Sequence, residues 1–196
     1  MWEQLKRIIK PNGAIVLFGS EPFSSALRMS NIKQYKYDWI WQKEQGTNQF
    51  LAKYQPLKKH EIISVFGKGT LLYNPQKTEG KRIKSVRDLK ERIDPITNVA
   101  LKPTAYDNKG LRYPVSVIDF KRELQNRTHP TQKPVALMEY LIKTYTNEGE
   151  TVLDFTMGSG STGVAAKNLN RSFIGIELDE GYFNIAKERI NQAPPI

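Results

Sequence analysis

The sequence predicts an α/β fold, and three features near the end of the chain carry that prediction. The run from Thr151 to Phe155 is apolar and short, which is typical of a buried strand. A glycine-rich turn follows, and then a helical pattern through Val164 and Leu169. A second apolar run from Ser172 to Glu177 leads into a final helix. Two strands joined by a helix favour parallel pairing, the arrangement of α/β proteins.

The first third of the chain supplies further predicted elements. In chain order we expect a helix over residues 2–9, a strand from Ala14 to Phe18, a helix through Phe23, Ala26 and Leu27, a strand through Tyr37, Trp39 and Trp41, and a strand from Glu61 to Phe66. The last two strands are separated by a polar loop that holds Phe50 and Tyr54.

The composition changes at about Lys68. From Asn74 to Arg127 the chain is basic and irregular, apart from a strand expected from Val115 to Phe120. An irregular region of this length is usually functional or disordered. After it, Pro134 opens a predicted helix, and Asp179 is placed to cap the last one.

The overall charge indicates a partner class. Lysine and arginine exceed aspartate and glutamate, giving a net charge of +10. A polyanion such as nucleic acid would suit this charge, and a lysine-rich solvated surface is the alternative. Cysteine is absent, which excludes disulfides and thiolate zinc sites. No apolar run is long enough for a membrane span or a signal peptide, so we expect a cytoplasmic protein.

The glycine turn from Asp154 to Gly163 is the densest signal for a ligand. Gly158, Gly160 and Gly163 fit the dinucleotide fingerprint GxGxxG, with Glu177 about 20 residues on. Asp154 argues against a dinucleotide, because a carboxylate in the pocket repels pyrophosphate. A cationic ligand such as S-adenosylmethionine, which carries an ammonium and a sulfonium, suits that charge better. A purely structural turn, capped by Asp154, is the remaining alternative.

Three consecutive segments resemble motifs of one enzyme family. They are His129 to Pro134, Asp154 to Gly163 and Phe173 to Glu177. In order and spacing they resemble motifs X, I and II of the β-class S-adenosylmethionine-dependent DNA amino-methyltransferases. The resemblance extends to Leu5–Phe18, Trp39–Lys43 and His60–Glu61, and it is weakest across residues 68–128. It implies a Rossmann-like sheet with permuted motif order and a role in restriction–modification.

The resemblance also implies roles for individual residues. Cofactor contacts are expected at Asp154, Phe155, Gly158, Ser159, Gly160, Ser161, Thr162, Glu177, Thr131 and Lys133. Glu177 would hold the ribose, and residues 68–128 would form a target-recognition insert within a single domain over residues 1–196. Double-stranded DNA would be the partner. For Trp39 and Trp41 we favour core positions over stacking on bases, whereas for Tyr54 both roles stay open.

One expected element is missing from the sequence. The family's catalytic motif is Asp, Asn or Ser followed by Pro-Pro and an aromatic residue. Ala193–Ile196 contains two prolines without the flanking groups, and Ser20–Phe23 contains a single proline. We therefore expect no catalytic residue in this chain.

The missing motif has consequences for the sheet and for activity. We expect a sheet that is incomplete at its amino-terminal side, with two strand edges facing a gap. An upstream fragment or a second copy would be needed to complete it. The leading hypothesis is a DNA methyltransferase, with adenine N6 favoured over cytosine N4, inactive as this chain alone. The alternatives are a non-catalytic DNA- or cofactor-binding remnant and, more remotely, an NAD-dependent oxidoreductase.

Overall fold

The computed structural model describes residues 1–85, 92–93, 100–101, 106–123 and 128–193. Within them the chain is mixed α/β and divides into two compact units. Residues 1–74 and 115–196 make up the first unit, and residues 75–114 make up the second. Over the described residues, none of the helices has the length and apolar character that a membrane crossing requires.

The first unit contains the elements that position the candidate site. In chain order these are α1 (Trp2–Ile8), β1 (Ile15–Gly19), α2 (Phe23–Ser30), β2 (Tyr35–Thr47), β3 (Lys58–Phe66), β4 (Val117–Asp119), α3 (Val135–Tyr145), β5 (Thr151–Asp154), α4 (Ser161–Asn168), β6 (Ser172–Gly175) and α5 (Glu180–Gln192). A single 3-10 turn, Gln49–Leu51, lies between β2 and β3.

The strands of this unit form two sheets. One has the order β1-β3-β2-β4, in which β3 runs antiparallel to both neighbours and β4 runs parallel to β2. The other consists of β5 and β6, which pair in parallel as the sequence predicts. Because β1 and β2 are both antiparallel to β3, these two strands share one direction, and their carboxyl ends lie at the same edge.

Over the described residues, four strands of the first unit have a neighbour on one side only, and β1 and β5 are two of them. Within the described part of the chain, β1 pairs with β3 alone and β5 pairs with β6 alone. Phe155, directly after β5, packs against the apolar cluster that contains Ile15 of β1. The two sheets are therefore joined by side-chain packing rather than by a backbone ladder.

The main core confirms the expected positions of both tryptophans. Trp39 and Trp41 are 4% and 2% exposed, and they pack with Ile63 and Val65 against Leu137 of α3 and its neighbours. The indole of Trp39 donates to the hydroxyl of Tyr145 at 2.6 Å, and that of Trp41 donates to the carbonyl of Phe120 at 2.9 Å. Each buried indole N–H therefore has a partner, which avoids the cost of burying it unpaired.

Some boundaries differ from the sequence-based expectations. The strand expected to reach Glu177 ends at Gly175, because the chain turns where the Glu177 carboxylate accepts hydrogen bonds from the next two backbone amides. The expected cap is confirmed, since Asp179 accepts a hydrogen bond from the amide of Tyr182 at 2.9 Å. The two prolines at 194 and 195 lie outside the described residues.

The described residues of the second unit form three short antiparallel ladders. They join Thr78–Glu79 to Leu111–Arg112, Lys84–Ser85 to Tyr106–Asp107, and Arg92–Ile93 to Ala100–Leu101. The sequence did not predict these ladders, since two-residue strands leave no detectable period. The prolines at 95 and 103 lie outside the described residues. The strand predicted from Val115 to Phe120 is β4, and it belongs to the first unit.

Candidate cofactor-binding site

The glycine turn between β5 and α4 forms the centre of the candidate site. Gly158 and Gly160 have φ angles of +51° and +78°, in the left-handed region where a Cβ atom is unfavourable. Gly160 is also the residue that caps α4. The sequence therefore needs glycine at both positions to turn the chain from the end of β5 into the helix.

Asp154 holds the two ends of this turn together. One carboxylate oxygen accepts a hydrogen bond from the amide of Thr156 at 3.1 Å, and the other accepts the hydroxyl of Thr162 at 2.5 Å. The side chain is partly buried at the last position of β5. Asp154 therefore caps the turn, as the structural alternative expected, and it also places a negative charge beside the turn.

Glu177 binds the same turn from the end of β6. Its Oε2 accepts a hydrogen bond from the amide of Gly158 at 2.8 Å, while Oε1 accepts the amides of Leu178 and Asp179. These backbone hydrogen bonds, that of Asp179 first and that of Gly158 next, hold the pKa of Glu177 below its ordinary value. The acid is therefore kept charged, and it joins the two strand ends.

The glycines of the fingerprint serve different purposes. A Cβ atom on Gly160 would lie 2.9 Å from the Cβ of Ala186, and one on Gly163 would overlap Ile190 and lie 2.6 Å from Phe173. Both positions therefore let α5 pack closely. At Gly158 a Cβ atom would make only an ordinary contact of 3.5 Å with the His129 ring.

Three hydroxyl residues at the end of the turn, Ser159, Ser161 and Thr162, are buried, and one of them lacks a partner. Ser159 donates to Gln132 at 3.2 Å, and Thr162 donates to Asp154. The Ser161 hydroxyl is buried with no hydrogen-bond partner within the described structure. A buried polar group without a partner is costly, so Ser161 is suited to a ligand that supplies one.

The segment from Thr128 to Lys133 packs beside the turn through Gln132. The amide oxygen of Gln132 accepts hydrogen bonds from Thr128 and Ser159, and its nitrogen donates to Glu123 at 3.0 Å. Sequence reasoning did not single out Gln132, because its partners lie both before and after it in the chain.

The two site residues predicted in this segment have different surroundings. Thr131 is exposed, and its hydroxyl lies 3.1 Å from Nδ1 of His129. The His129 ring in turn meets Tyr182 edge-on, with centroids 4.3 Å apart. The ammonium of Lys133 contacts side chains of β1 and β3.

Lys133 belongs to a charged cluster that the sequence did not reveal. Its Nζ lies 3.2 Å from Glu61 Oε2 and 5.2 Å from the centre of the Phe18 ring, while Lys43 contacts Glu61 Oε1 at 2.5 Å. Burial raises the pKa of Glu61, but the hydrogen bond from Lys43 and the charge of Lys133 outweigh it and hold the pKa below its ordinary value. The cluster lies near the carboxyl end of β1. Glu61 directly precedes Ile62, and Ile62 pairs with Gly19, the last residue of β1.

Phe155, another of the predicted contact residues, packs in the core of the first unit. Its ring is partly buried and packs on the cluster of Leu5, Ile15, Leu27 and Phe66.

The structure brings Asp154, Gly158–Thr162 and Glu177 together around one turn, with Thr131 close by. Two carboxylates and an unpartnered hydroxyl suit a ligand that carries positive charge and polar groups, as S-adenosylmethionine does.

Comparison with known proteins gives the same family as the sequence motifs. A family model described as DNA methylase, for the N6/N4 group, matches residues 1–188. The chain is 30% identical over 197 aligned positions to the type II methyltransferase M.HpaI of Haemophilus parainfluenzae. It is also 52% identical over 62 residues to the type II methyltransferase M2.DpnII of Streptococcus pneumoniae.

The chain corresponds to part of these relatives. The M.HpaI alignment includes 96% of this chain but 57% of that protein, and the M2.DpnII alignment includes 32% and 23%. The chain therefore spans little more than half the length of M.HpaI.

Solved structures share the fold. The M1.HpyAVI complex with S-adenosylmethionine is 28% identical, has a TM-score of 0.65, and aligns over 96% of this chain and 79% of its own. A putative DNA modification methylase of Thermus thermophilus, complexed with S-adenosyl-L-methionine, is 20% identical with a TM-score of 0.63, over 100% and 76% of the two chains. Its likeness concerns the fold alone.

The family match determines the cofactor class. S-adenosylmethionine is the cofactor of this family, and the charge and hydrogen-bonding groups around the turn fit it. The match gives no support to the NAD-dependent alternative. By the extent of the family match, this chain belongs to the N6/N4 DNA methylase family.

Proposed function

We propose that this chain forms the cofactor-binding part of a DNA amino-methyltransferase. The enzyme would transfer a methyl group from S-adenosylmethionine to an exocyclic amine of double-stranded DNA, with adenine N6 as the favoured position. The cofactor supplies an electrophilic methyl group on a cationic sulfur. This chain supplies the groups that bind and orient it.

Two acids would bind different parts of the cofactor. Asp154, with Phe155 and the turn from Gly158 to Thr162, would hold the methionine half. Glu177 would accept the ribose hydroxyls through the lone pairs that its backbone hydrogen bonds leave free. Thr131 and Lys133 would border the site.

The observation that supports this proposal best is the pair of carboxylates on one turn. Asp154 accepts the Thr162 hydroxyl at one end of the turn, and Glu177 accepts the Gly158 amide in its middle. Their combined charge disfavours a pyrophosphate and favours a ligand with an ammonium and a sulfonium.

The catalytic groups would come from outside this chain. The sequence lacks the family's Pro-Pro motif, and β1 and β5 each have one strand edge unpaired within the described residues. We propose that a strand carrying that motif lies between these edges, from an upstream fragment or a second copy. Such a permuted sheet would place the motif beside Asp154, with the cofactor between them.

Residues 68–128 would recognise the target. This region overlaps the second compact unit, and its lysines and arginines suit contacts to phosphate groups. Within it, Arg82 pairs with Asp107 at 2.7 Å, so that arginine is held by its own unit.

A second candidate is a remnant that binds the cofactor or DNA without turnover. The absence of the catalytic motif from the sequence favours it. The two candidates make different predictions when the missing segment is supplied.

The test is a methyl-transfer assay with radiolabelled cofactor and mixed-sequence DNA. The chain is assayed alone and after mixing with the polypeptide encoded directly upstream of it. Calorimetry with S-adenosylhomocysteine, and with NAD as the negative control, is run on the same samples. Mass spectrometry of the digested DNA identifies the methylated base.

The proposal predicts binding of S-adenosylhomocysteine by the chain alone, with incorporation only in the mixture and N6-methyladenine as the product. Incorporation by the chain alone would show that it needs no outside catalytic group. Cofactor binding without incorporation in the mixture would favour the remnant. N4-methylcytosine would correct the base and leave the enzyme class intact.

A further inference from the structure

The loop that connects β2 to β3 carries the most exposed aromatic residues of the first unit. Phe50 is 99% exposed and Tyr54 is 84% exposed, and Leu51 beside them is 44% exposed. Single exposed apolar side chains are common, but a group of them on one loop marks an interaction site. The cofactor site does not use this loop.

The loop is folded by its own hydrogen bonds. The amide of Leu51 donates to the carbonyl of Asn48 at 2.9 Å, and the amide of Tyr54 donates to the carbonyl of Leu51 at 2.9 Å. At its base the Thr47 hydroxyl donates to the carbonyl of Lys58 at 3.1 Å. The aromatic side chains are therefore presented on an ordered tip, which we call the hairpin tip, residues 48–57.

The hairpin tip lies at the carboxyl edge of β1 and β2, where Lys133 contacts β3, and the neighbouring Gln132 contacts Ser159 of the glycine turn. It follows the carboxyl end of β2, which runs in the same direction as β1. Glu61 on β3 contacts Lys133 beside the site, and Lys58 lies three residues before it, a distance of about 10 Å along a strand.

The loop and the first residues of β3 carry positive charge. Residues 45–60 contain Lys53, Lys58 and Lys59 and no aspartate or glutamate. Lysines next to exposed aromatic rings form the combination that binds nucleic acid, because the ammonium groups contact phosphates while the rings stack on bases. An apolar protein partner would not require this charge.

We propose that the hairpin tip is a wedge that enters the target duplex at the displaced base. Phe50 and Tyr54 would occupy the space that the base leaves, and the three lysines would contact the flanking phosphates. The inference rests on the proposed function, since a base must leave the duplex for its amine to reach the cofactor. Displacing a base sacrifices its stacking, and an inserted ring restores part of it.

The experiment compares binding to two duplexes of identical sequence, of which one has a single abasic position. An abasic position offers the wedge its space without the cost of displacing a base, and it needs no knowledge of the target sequence. Fluorescence anisotropy gives the dissociation constants for the wild-type chain and for the variant Phe50→Ala/Tyr54→Ala. Both side chains are exposed, so their removal leaves the core intact.

Met29→Ala is the matched control, because Met29 is 69% exposed on the last turn of α2, at the opposite edge of the sheet. We expect the wild-type chain and Met29→Ala to prefer the abasic duplex by at least about fivefold, the lower range for stacking one base on an aromatic ring. The double variant should lose this preference and keep its affinity for the intact duplex.

A second pair of variants tests the lysines. Lys58→Gln/Lys59→Gln should weaken binding to both duplexes and lower the salt dependence by about one unit of slope for each lost phosphate contact. The control pair Lys6→Gln/Lys33→Gln, at the other edge, should change the slope less.

Four results would contradict the proposal in whole or in part. A wild-type chain without preference for the abasic duplex, or a double variant that keeps the preference, would refute it while leaving DNA binding in place. Equal salt slopes for the two lysine double variants would show that Lys58 and Lys59 make no special contact with phosphates. Failure of the wild-type chain to bind either duplex would refute the proposed function together with the wedge.

Discussion

The carboxylate of Glu177 accepts a hydrogen bond from the amide of Gly158 at 2.8 Å, so an acid that follows β6 holds the turn that follows β5. The same carboxylate accepts the amides of Leu178 and Asp179. It therefore organises both loops at the carboxyl end of the small parallel sheet. The residue that we propose binds ribose therefore also holds the glycine turn in place.

Glu177→Ala should lower the free energy of unfolding by about 1 kcal/mol, because three amide donors lose their acceptor. Glu177→Gln should lower it less, because one acceptor oxygen remains. Urea unfolding measures both values. Glu188→Gln, an exposed change on α5, should stay within about 0.5 kcal/mol. An unchanged stability for Glu177→Ala would show that the turn forms without this acid.

The acid dependence of stability follows from the same carboxylate. Its pKa in the folded protein lies below its ordinary value of 4.5. The stabilisation is therefore complete above that pH and is lost as the pH falls through the folded pKa. Glu177→Gln should flatten the decline of stability in this acid range, as followed by urea unfolding at stepped pH. An identical decline in wild type and variant would assign it to other groups.

Variants at Asp154 and Thr162 separate the effect of charge on cofactor affinity from the effect of turn geometry. Asp154→Asn removes the charge but keeps an acceptor for the Thr162 hydroxyl, whereas Thr162→Val removes that hydrogen bond and keeps the charge. If the carboxylate meets the cofactor's ammonium, Asp154→Asn should weaken S-adenosylhomocysteine binding by at least tenfold, or about 1.4 kcal/mol. Thr162→Val should weaken it less. Calorimetry measures both affinities, and the reverse order would limit Asp154 to holding the turn.

Local sequence patterns predicted the elements of this fold well. The apolar run before the glycine turn, the helix after it and the cap at Asp179 all depend on residues within a few positions of each other. Propensity and periodicity report such short-range effects. The same is true of Trp39 and Trp41, whose alternation placed them on the buried face of β2.

The parts that the sequence could not predict depend on long-range contacts. Glu61 meets Lys133 because β3 and the segment before α3 lie side by side in space, and no period links them. Gln132 contacts the glycine turn for the same reason. Gly163 looked like part of a ligand fingerprint, but its space is taken by Ile190 and Phe173, so packing explains it.

Glu61→Gln tests the cluster of Lys43, Lys133 and Glu61. The variant leaves two ammonium groups, with side chains 11% and 21% exposed, without a charged partner. We expect the free energy of unfolding to fall by about 1–3 kcal/mol, as for other hydrogen-bonded groups left unsatisfied. Glu44→Gln is the control, since its pair with Lys121 is long and exposed and should contribute little. Equal effects of the two changes in urea unfolding would show that burial does not strengthen the cluster.

In Gly163→Ala, helix propensity and packing have opposite effects on the stability of the folded protein. Alanine is preferred over glycine within a helix by about 1 kcal/mol, so propensity alone predicts a more stable protein. The added Cβ atom would, however, overlap Cδ1 of Ile190 and lie 2.6 Å from Cε1 of Phe173. We expect net destabilisation of about 1–3 kcal/mol, typical of overpacking.

The double variant Gly163→Ala/Ile190→Val identifies the cause of that loss. Valine lacks the Cδ1 atom that the new methyl group would meet, so it should recover part of the lost stability, although Ile190→Val alone should cost about 0.5–1.5 kcal/mol. A double-mutant cycle from urea unfolding gives the coupling between the two positions. Additive effects would mean that α5 does not restrict position 163, and the third glycine would then be explained by the ligand rather than by helix packing.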